Sequence, residues 1–144
     1  MEEFLSGPYK TKLQANELLT KIKIPLLGDN YYTDFQKIGR RKALSIARLS
    51  LALVTKIDEE GIFQDTRVVP GSATPYPQSL PETEKVINSK SILNIDLEEI
   101  SKTISREMVS ITGERWSTPY KKPTIAVLIK RALEKITKEA KIND

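Results

Sequence analysis

With 144 residues and a mass of 16.3 kDa, the chain has room for one compact domain and none for a complete two-domain cofactor enzyme. It contains neither cysteine nor histidine, which excludes disulfides, Cys/His zinc centres, haem or iron–sulfur ligation by this chain, and any general base built on imidazole. Hydrophobic residues at 39% and charged residues at 29% fit a folded domain with a modest core, and a net charge of +4 is a weak pull toward anionic partners.

At the amino terminus, Phe4 and Leu5 give way at once to Ser6-Gly7-Pro8, a turn signal. No apolar run approaches the ~20 residues of a membrane span, and with no cysteine the cytoplasm is the expected compartment. Leu18, Thr20, Ile22 and Ile24 alternate with Leu19, Lys21 and Lys23, which predicts a half-buried strand over 18–24 closed by Pro25. After the polar turn Gly28-Asp29-Asn30, residues 31–37 read as a short aromatic strand that Gly39 breaks.

From Arg40 to Ile57 two periods compete. Leu44, Ala47, Leu51 and Val54 make a helical stripe, whereas Leu49, Leu51, Leu53, Thr55 and Ile57 alternate as a strand would. Downstream, the polar loop Asp58-Glu59-Glu60-Gly61 leads into a β-rich run from Ile62 to Val69, which favours a hairpin. The expectation is therefore a helical turn over 41–46, then a strand.

Gly71, Pro75, Pro77 and Pro81 forbid regular structure over most of 71–81. Ser79-Leu80-Pro81-Glu82 has the spacing of a capping box for a short helix carrying Val86 and Ile87. Asp96-Leu97-Glu98-Glu99 starts a longer one, with Leu97, Ile100, Ile104, Met108 and Ile111 on one face and Gly113 at its end. A last helix begins between Pro119 and Pro123 and turns Ile125, Leu128, Ile129, Ala132, Leu133 and Ile136 to the core. Lys130, Arg131, Glu134, Lys135, Lys138 and Glu139 lie outside, with Glu134 and Lys138 as an i,i+4 pair. The sum is an α+β fold, a small antiparallel sheet of three to four strands followed by about three helices packed on one side.

Candidate sites are few. Gly39-Arg40-Arg41-Lys42 could hold a phosphate or the edge of an anionic ring, although a solvated basic turn is the ordinary role. Tyr31, Tyr32 and Phe35 could stack on a planar ligand, with burial the ordinary role for each ring. Trp116 and Tyr120 are placed to anchor the last helix, and the proline-rich loop could dock a partner. Glu59-Glu60 and Glu98-Glu99 are adjacent pairs, unsuited to facing one scissile bond, and no Gly-rich phosphate loop is present. No catalytic residue and no metal site is expected. On the residues alone, a small basic non-enzymatic domain binding nucleic acid or a protein partner stays open.

Three stretches in order are more specific. FQKIGRRKALSIARLSLALVTKIDEEGIFQDTRVVPGSATPYP, residues 35–77, resembles the carboxy-terminal domain of the FAD-carrying medium subunit of molybdenum hydroxylases, the family of carbon monoxide dehydrogenase and xanthine dehydrogenase. GPYKTKLQANELLTKIKIP, residues 7–25, resembles the tail of the preceding FAD-binding domain, and VLIKRALEKI, residues 127–136, resembles the family's terminal helix. The resemblance implies residues 1–28 as that tail or connector and 29–144 as the CO dehydrogenase flavoprotein C-terminal-like domain.

It also implies an oxidoreductase role in electron transfer, from a molybdenum cofactor through iron–sulfur clusters to FAD and an external acceptor. Phe35, Gln36, Lys37, Arg40 and Arg41 are the positions it brings near the flavin. Cations there would stabilise an anionic reduced ring. Phe35 lacks the hydroxyl of relatives with tyrosine at that place. The implied partners are the FAD-binding domains, an iron–sulfur subunit and a molybdopterin subunit, with no nucleic acid. Because the family's pyrophosphate loops lie in upstream domains, this chain alone is not expected to hold FAD tightly or to be catalytically competent. Met1-Glu2-Glu3 reads as the start of an expressed fragment or of a separately encoded domain.

Overall fold

A computed structural model describes residues 4–41 and 43–142; Met1, Glu2, Glu3, Lys42, Asn143 and Asp144 lie outside the described residues. A short antiparallel hairpin opens it, β1 (Leu5–Gly7) with β2 (Lys10–Thr11). Residues 12–28 then run with neither helix nor strand, which corrects the strand expected over 18–24. Leu18, Ile22 and Ile24 are exposed. A strand requires a neighbour for its amides and carbonyls, and among the described residues no strand pairs with this one, so alternation alone does not make it one.

The main sheet has the order β3-β4-β5, with β3 (Tyr31–Gly39), β4 (Ala47–Ile57) and β5 (Phe63–Gly71) antiparallel throughout. The expected hairpin is β4–β5. Its loop is closed by the Asp58 carboxylate, which accepts the Ile62 N–H at 2.8 Å, and by Gly61 at φ 72. Arg41, Ala43 and Leu44 bend and residues 45–46 take no regular structure, so the helical turn expected over 41–46 is not formed by the described residues: Leu44 sits at φ 50, and Leu44 and Ile46 are exposed, so the competing helical stripe had no surface to bury there.

One face of the sheet carries Leu49, Leu51, Leu53, Ile57, Phe63 and Val68 into the core; the first and third of the three helices lie against the strands, and the second packs on those two helices. Burying side chains of this size is worth about 1.5–3 kcal/mol each. Within that face the Thr55 and Thr66 hydroxyls meet at 2.7 Å, so neither buried oxygen lacks a partner. α1 (Pro81–Ile87) has Leu80 at its N-cap, with no capping side chain, so the capping box expected from Ser79 does not form; Ser79 stands one residue too early. Glu107 supplies the missing acceptor from α2 (Leu97–Thr112), where it takes the N–H groups of Glu82 and Thr83.

α2 itself follows expectation. Asp96 Oδ1 accepts from the N–H groups of Glu98 and Glu99, both at 2.9 Å, and Gly113 ends the helix at φ 66. α3 (Thr118–Ile142) starts just before the expected window, with Pro119 in the first turn, where an N–H is dispensable. Its six expected core residues are all buried. Some of its outer charges form ion pairs. Lys130 pairs with Glu98, and Lys135 pairs with Asp34 at 2.7 Å and Glu139 at 3.8 Å, whereas Glu134 and Lys138 form no ion pair among the described residues. Trp116 is exposed and does not anchor the helix. No helix among the described residues is long and apolar enough to cross a membrane.

Candidate functional site

The helices cover one side of the sheet and leave the other open. Along β3, Tyr32, Asp34, Gln36 and Ile38 face the helices, while Tyr31, Thr33, Phe35 and Lys37 face outward by the two-residue period of a strand. Register sets the rows of the open face. Phe35 lies beside Ala52, and Ala52 beside Val69; Lys37 lies beside Ser50, and Ser50 beside Gly71. Phe35 is 65% exposed, contrary to the burial expected of its ring, and with Ala52 and Val69 it makes a flat apolar strip.

The strip is fenced at one end. The Tyr31 hydroxyl reaches across β4 and donates to Asp65 Oδ2 at 2.8 Å, and Arg67 pairs with Asp65 at 3.3 Å. The shared proton pushes the Tyr31 hydroxyl above its ordinary range, and the same bond, helped by Arg67, lowers Asp65 below that of a free carboxylate.

The opposite end is basic. β3 finishes there, β4 begins there and β5 finishes there. Gly39 is required by close approach, since a Cβ on it would lie 1.8 Å from Ser45 Oγ. Ile38 pairs with Leu49 but Gly39 pairs with Ala47, so Arg48 is the extra residue of a bulge. The bulge aims its guanidinium over the Tyr120 ring, 4.9 Å from the centroid. Arg40 is exposed, and Arg41 donates from Nη2 to the Leu44 carbonyl at 2.7 Å. From the helical side, Lys121 Nζ donates to the Ser72 carbonyl at 2.5 Å and Arg115 Nε to the Thr112 carbonyl at 3.1 Å.

Of the residues singled out from sequence, Phe35 and Lys37 share the open face, and Arg40 and Arg41 continue from the end of the same strand. Gln36 is not brought to them. It lies on the helix side, donating to Asp34 Oδ2 at 2.5 Å, and Asp34 in turn accepts from Lys135. Lys42 lies outside the described residues. Sequence reasoning missed Arg48 and Arg115. Nothing local marks a bulge residue; for Arg115, the serine and threonine that follow were a readable signal, because its N–H donates to Thr118 Oγ1 at 2.9 Å.

Among the described residues no cluster of acidic side chains could hold a metal ion. What the open face offers is a platform for a planar apolar ring with cations along one border.

Residues 34–136 match the family profile described as the CO dehydrogenase flavoprotein C-terminal domain. The chain is similar to the glyceraldehyde dehydrogenase medium chain of Sulfolobus acidocaldarius, 28% identical over 135 residues that cover 93% of this chain and 47% of that protein. It is 25% identical to the nicotine 6-hydroxylase medium subunit of Paenarthrobacter nicotinovorans over 92% of this chain and 45% of that protein. Among solved structures, reconstituted CO dehydrogenase from Oligotropha carboxidovorans shares the fold with a TM-score of 0.75, at 20% identity, over 94% of this chain and 46% of that one. The chain spans less than half the length of the curated relatives it matches.

Proposed function

We propose that this chain, which belongs to the CO dehydrogenase flavoprotein C-terminal domain family, acts as the carboxy-terminal domain of the FAD subunit of a molybdenum hydroxylase. There it completes the flavin site and docks in the complex for electron transfer from iron–sulfur clusters through FAD to an external acceptor. The observation that carries the reading is the open sheet face, with exposed Phe35 beside Ala52 and Val69 and with Lys37, Arg40 and Arg41 along and beyond the same strand.

These residues fit one side of a flavin ring. The strip is flat and apolar, so it would cover the ring and keep water from that face, with Phe35 stacking and not donating. Lys37, Arg40 and Arg41 would hold positive charge at the border, where negative charge on the ring is stabilised. Gln36, bonded to Asp34 on the helix side, would act by fixing β3 and not by reaching the ring. FAD, when bound, supplies the redox chemistry; this chain contributes cover, orientation and charge.

The glycines of the sequence are scattered singly, so pyrophosphate would have to be held by the FAD-binding domains. Residues 1–28 are assigned to the tail of those domains and 29–144 to this one. The exposed apolar side chains of Leu18, Ile22, Ile24 and Leu26 support that division, being the alternating face of a segment whose partner strand would lie elsewhere. An iron–sulfur subunit and a molybdopterin subunit are the further partners, in the cytoplasm.

Co-expression with the FAD-binding domains tests the reading. Co-purification and higher flavin content per FAD-binding polypeptide are expected when the chain is present. Equal flavin content with and without it, and no co-purification, would sink the reading.

A further inference from the structure

Three cations converge where β4 begins, α2 ends and α3 starts: Arg48, Arg115 and Lys121. A cavity of about 90 Å³ opens between the 72–75 loop and the two helices, lined among others by Ser72, Thr112, Arg115, Thr118 and Lys121. Arg48 flanks it, stacked on Tyr120, the neighbour of Lys121. Among the described residues no carboxylate lies within ion-pair distance of any of the three. The bond from Lys121 to the Ser72 carbonyl explains one cation as a pin for the loop. It does not explain two arginines gathered beside that pin with no counter-charge, an arrangement that repels itself.

We infer that this corner is an oxyanion site, which takes a phosphate-type group between Arg115 and Lys121 with Arg48 as the outer charge. The size of the cavity suits one tetrahedral oxyanion and not a whole nucleotide. The ligands are side chains, because the first α3 amides are already used: Thr118 N–H donates to the Arg115 carbonyl and Tyr120 N–H to that of Ser117, and Pro119 has none. In agreement, burial and then the charges of Arg115 and Arg48 hold the Lys121 ammonium below the ordinary lysine range, which a bound anion would reverse. The site is independent of the flavin reading, which uses none of these three residues.

The test is titration of the full chain with sodium phosphate against sodium chloride at matched ionic strength, followed by calorimetry and by NMR of the lysine ammonium groups, with adenosine diphosphate as a second ligand. Saturable phosphate binding is expected, together with a rise in the Lys121 pKa. Binding should weaken about tenfold or more in Arg115→Gln and Lys121→Met and stay unchanged in Lys138→Ala, at the far end of α3. Because Lys121→Met also frees the 72–75 loop, Arg115→Gln, an exposed position, decides the matter where Lys121→Met fails to fold. Tighter binding of adenosine diphosphate than of phosphate supports the site and identifies its group as the end of a nucleotide; equal affinities support it as a site for free oxyanion. Absence of saturable binding, or the same weakening in Lys138→Ala, overturns it.

Discussion

Glu107 Oε2 accepts both the backbone N–H of Thr83, at 2.8 Å, and its hydroxyl, at 2.7 Å, so one buried carboxylate on α2 caps a helix whose second residue, Glu82, lies 25 residues earlier in the chain. Its other oxygen takes the Glu82 N–H at 2.9 Å. α1 therefore depends on α2 for its start. Glu107→Ala is expected to cost about 2–3 kcal/mol in urea unfolding, the sum of a lost cap and of donors left buried. Glu107→Gln, which keeps an acceptor oxygen, should cost less. A loss below about 0.5 kcal/mol in Glu107→Ala, within the range of an ordinary surface change, would show that α1 does not need this cap.

The fence across the open face should be visible as a pH dependence. Asp65 is lowered in the folded chain, so its contribution is full above its ordinary carboxylate range and is lost as pH falls through the lowered value. Tyr31 is raised, so its contribution is full below the ordinary tyrosine range and is lost as pH rises through the raised value. Relative to wild type, Tyr31→Phe should show a small, constant deficit in Tm between those limits. The two curves should begin to converge as pH falls below about 4 and as it rises above about 10. A deficit that does not change with pH would mean that the hydroxyl is not bonded to a titrating group.

The Thr55–Thr66 hydroxyl pair lies in the core at 2.7 Å, with Thr55 also bonded to the Gln64 carbonyl at 3.2 Å. Thr66→Val should cost about 1–2 kcal/mol, because Thr55 then loses a buried partner. In the double variant Thr55→Val with Thr66→Val, the cost should fall short of the sum of the singles by about 0.5 kcal/mol or more. Strict additivity in guanidinium unfolding would show that the two hydroxyls are not coupled.

Phe35 separates stability from function. Since 65% of it is exposed, Phe35→Ala should change the stability of the isolated chain by no more than about 0.5 kcal/mol. In the complex with FAD-binding domains the same variant should lower flavin retention, measured as flavin absorbance per polypeptide. Unchanged retention would remove Phe35 from the flavin wall, leaving Lys37, Arg40 and Arg41 to be tested in turn.

What the sequence determined by itself was everything carried by neighbours in the chain. Asp96 and Gly113 bound α2 because a cap and a left-handed glycine act within one turn, and the loop from Asp58 to Gly61 closes the β4–β5 hairpin for the same reason. The buried stripe of α3, from Ile125 to Ile136, follows from a helical period that needs only a core to face. The basic turn at Arg40 and Arg41, and the family it belongs to, were likewise legible in the order of residues. Tertiary structure alone decided whatever requires a partner distant in sequence. Residues 18–24 alternate like a strand, yet none of the strands described lies beside them. Glu107 took the capping role expected of Ser79, and Asp34 engages the still exposed Lys135 of α3 in an ion pair. A single-residue bulge turned Arg48 onto Tyr120, which no spacing could announce because a bulge is defined by the register of two strands. Phe35 has the pattern of a core aromatic and is exposed because the helices cover only the other side of its sheet. That choice of side is made by packing across the whole domain.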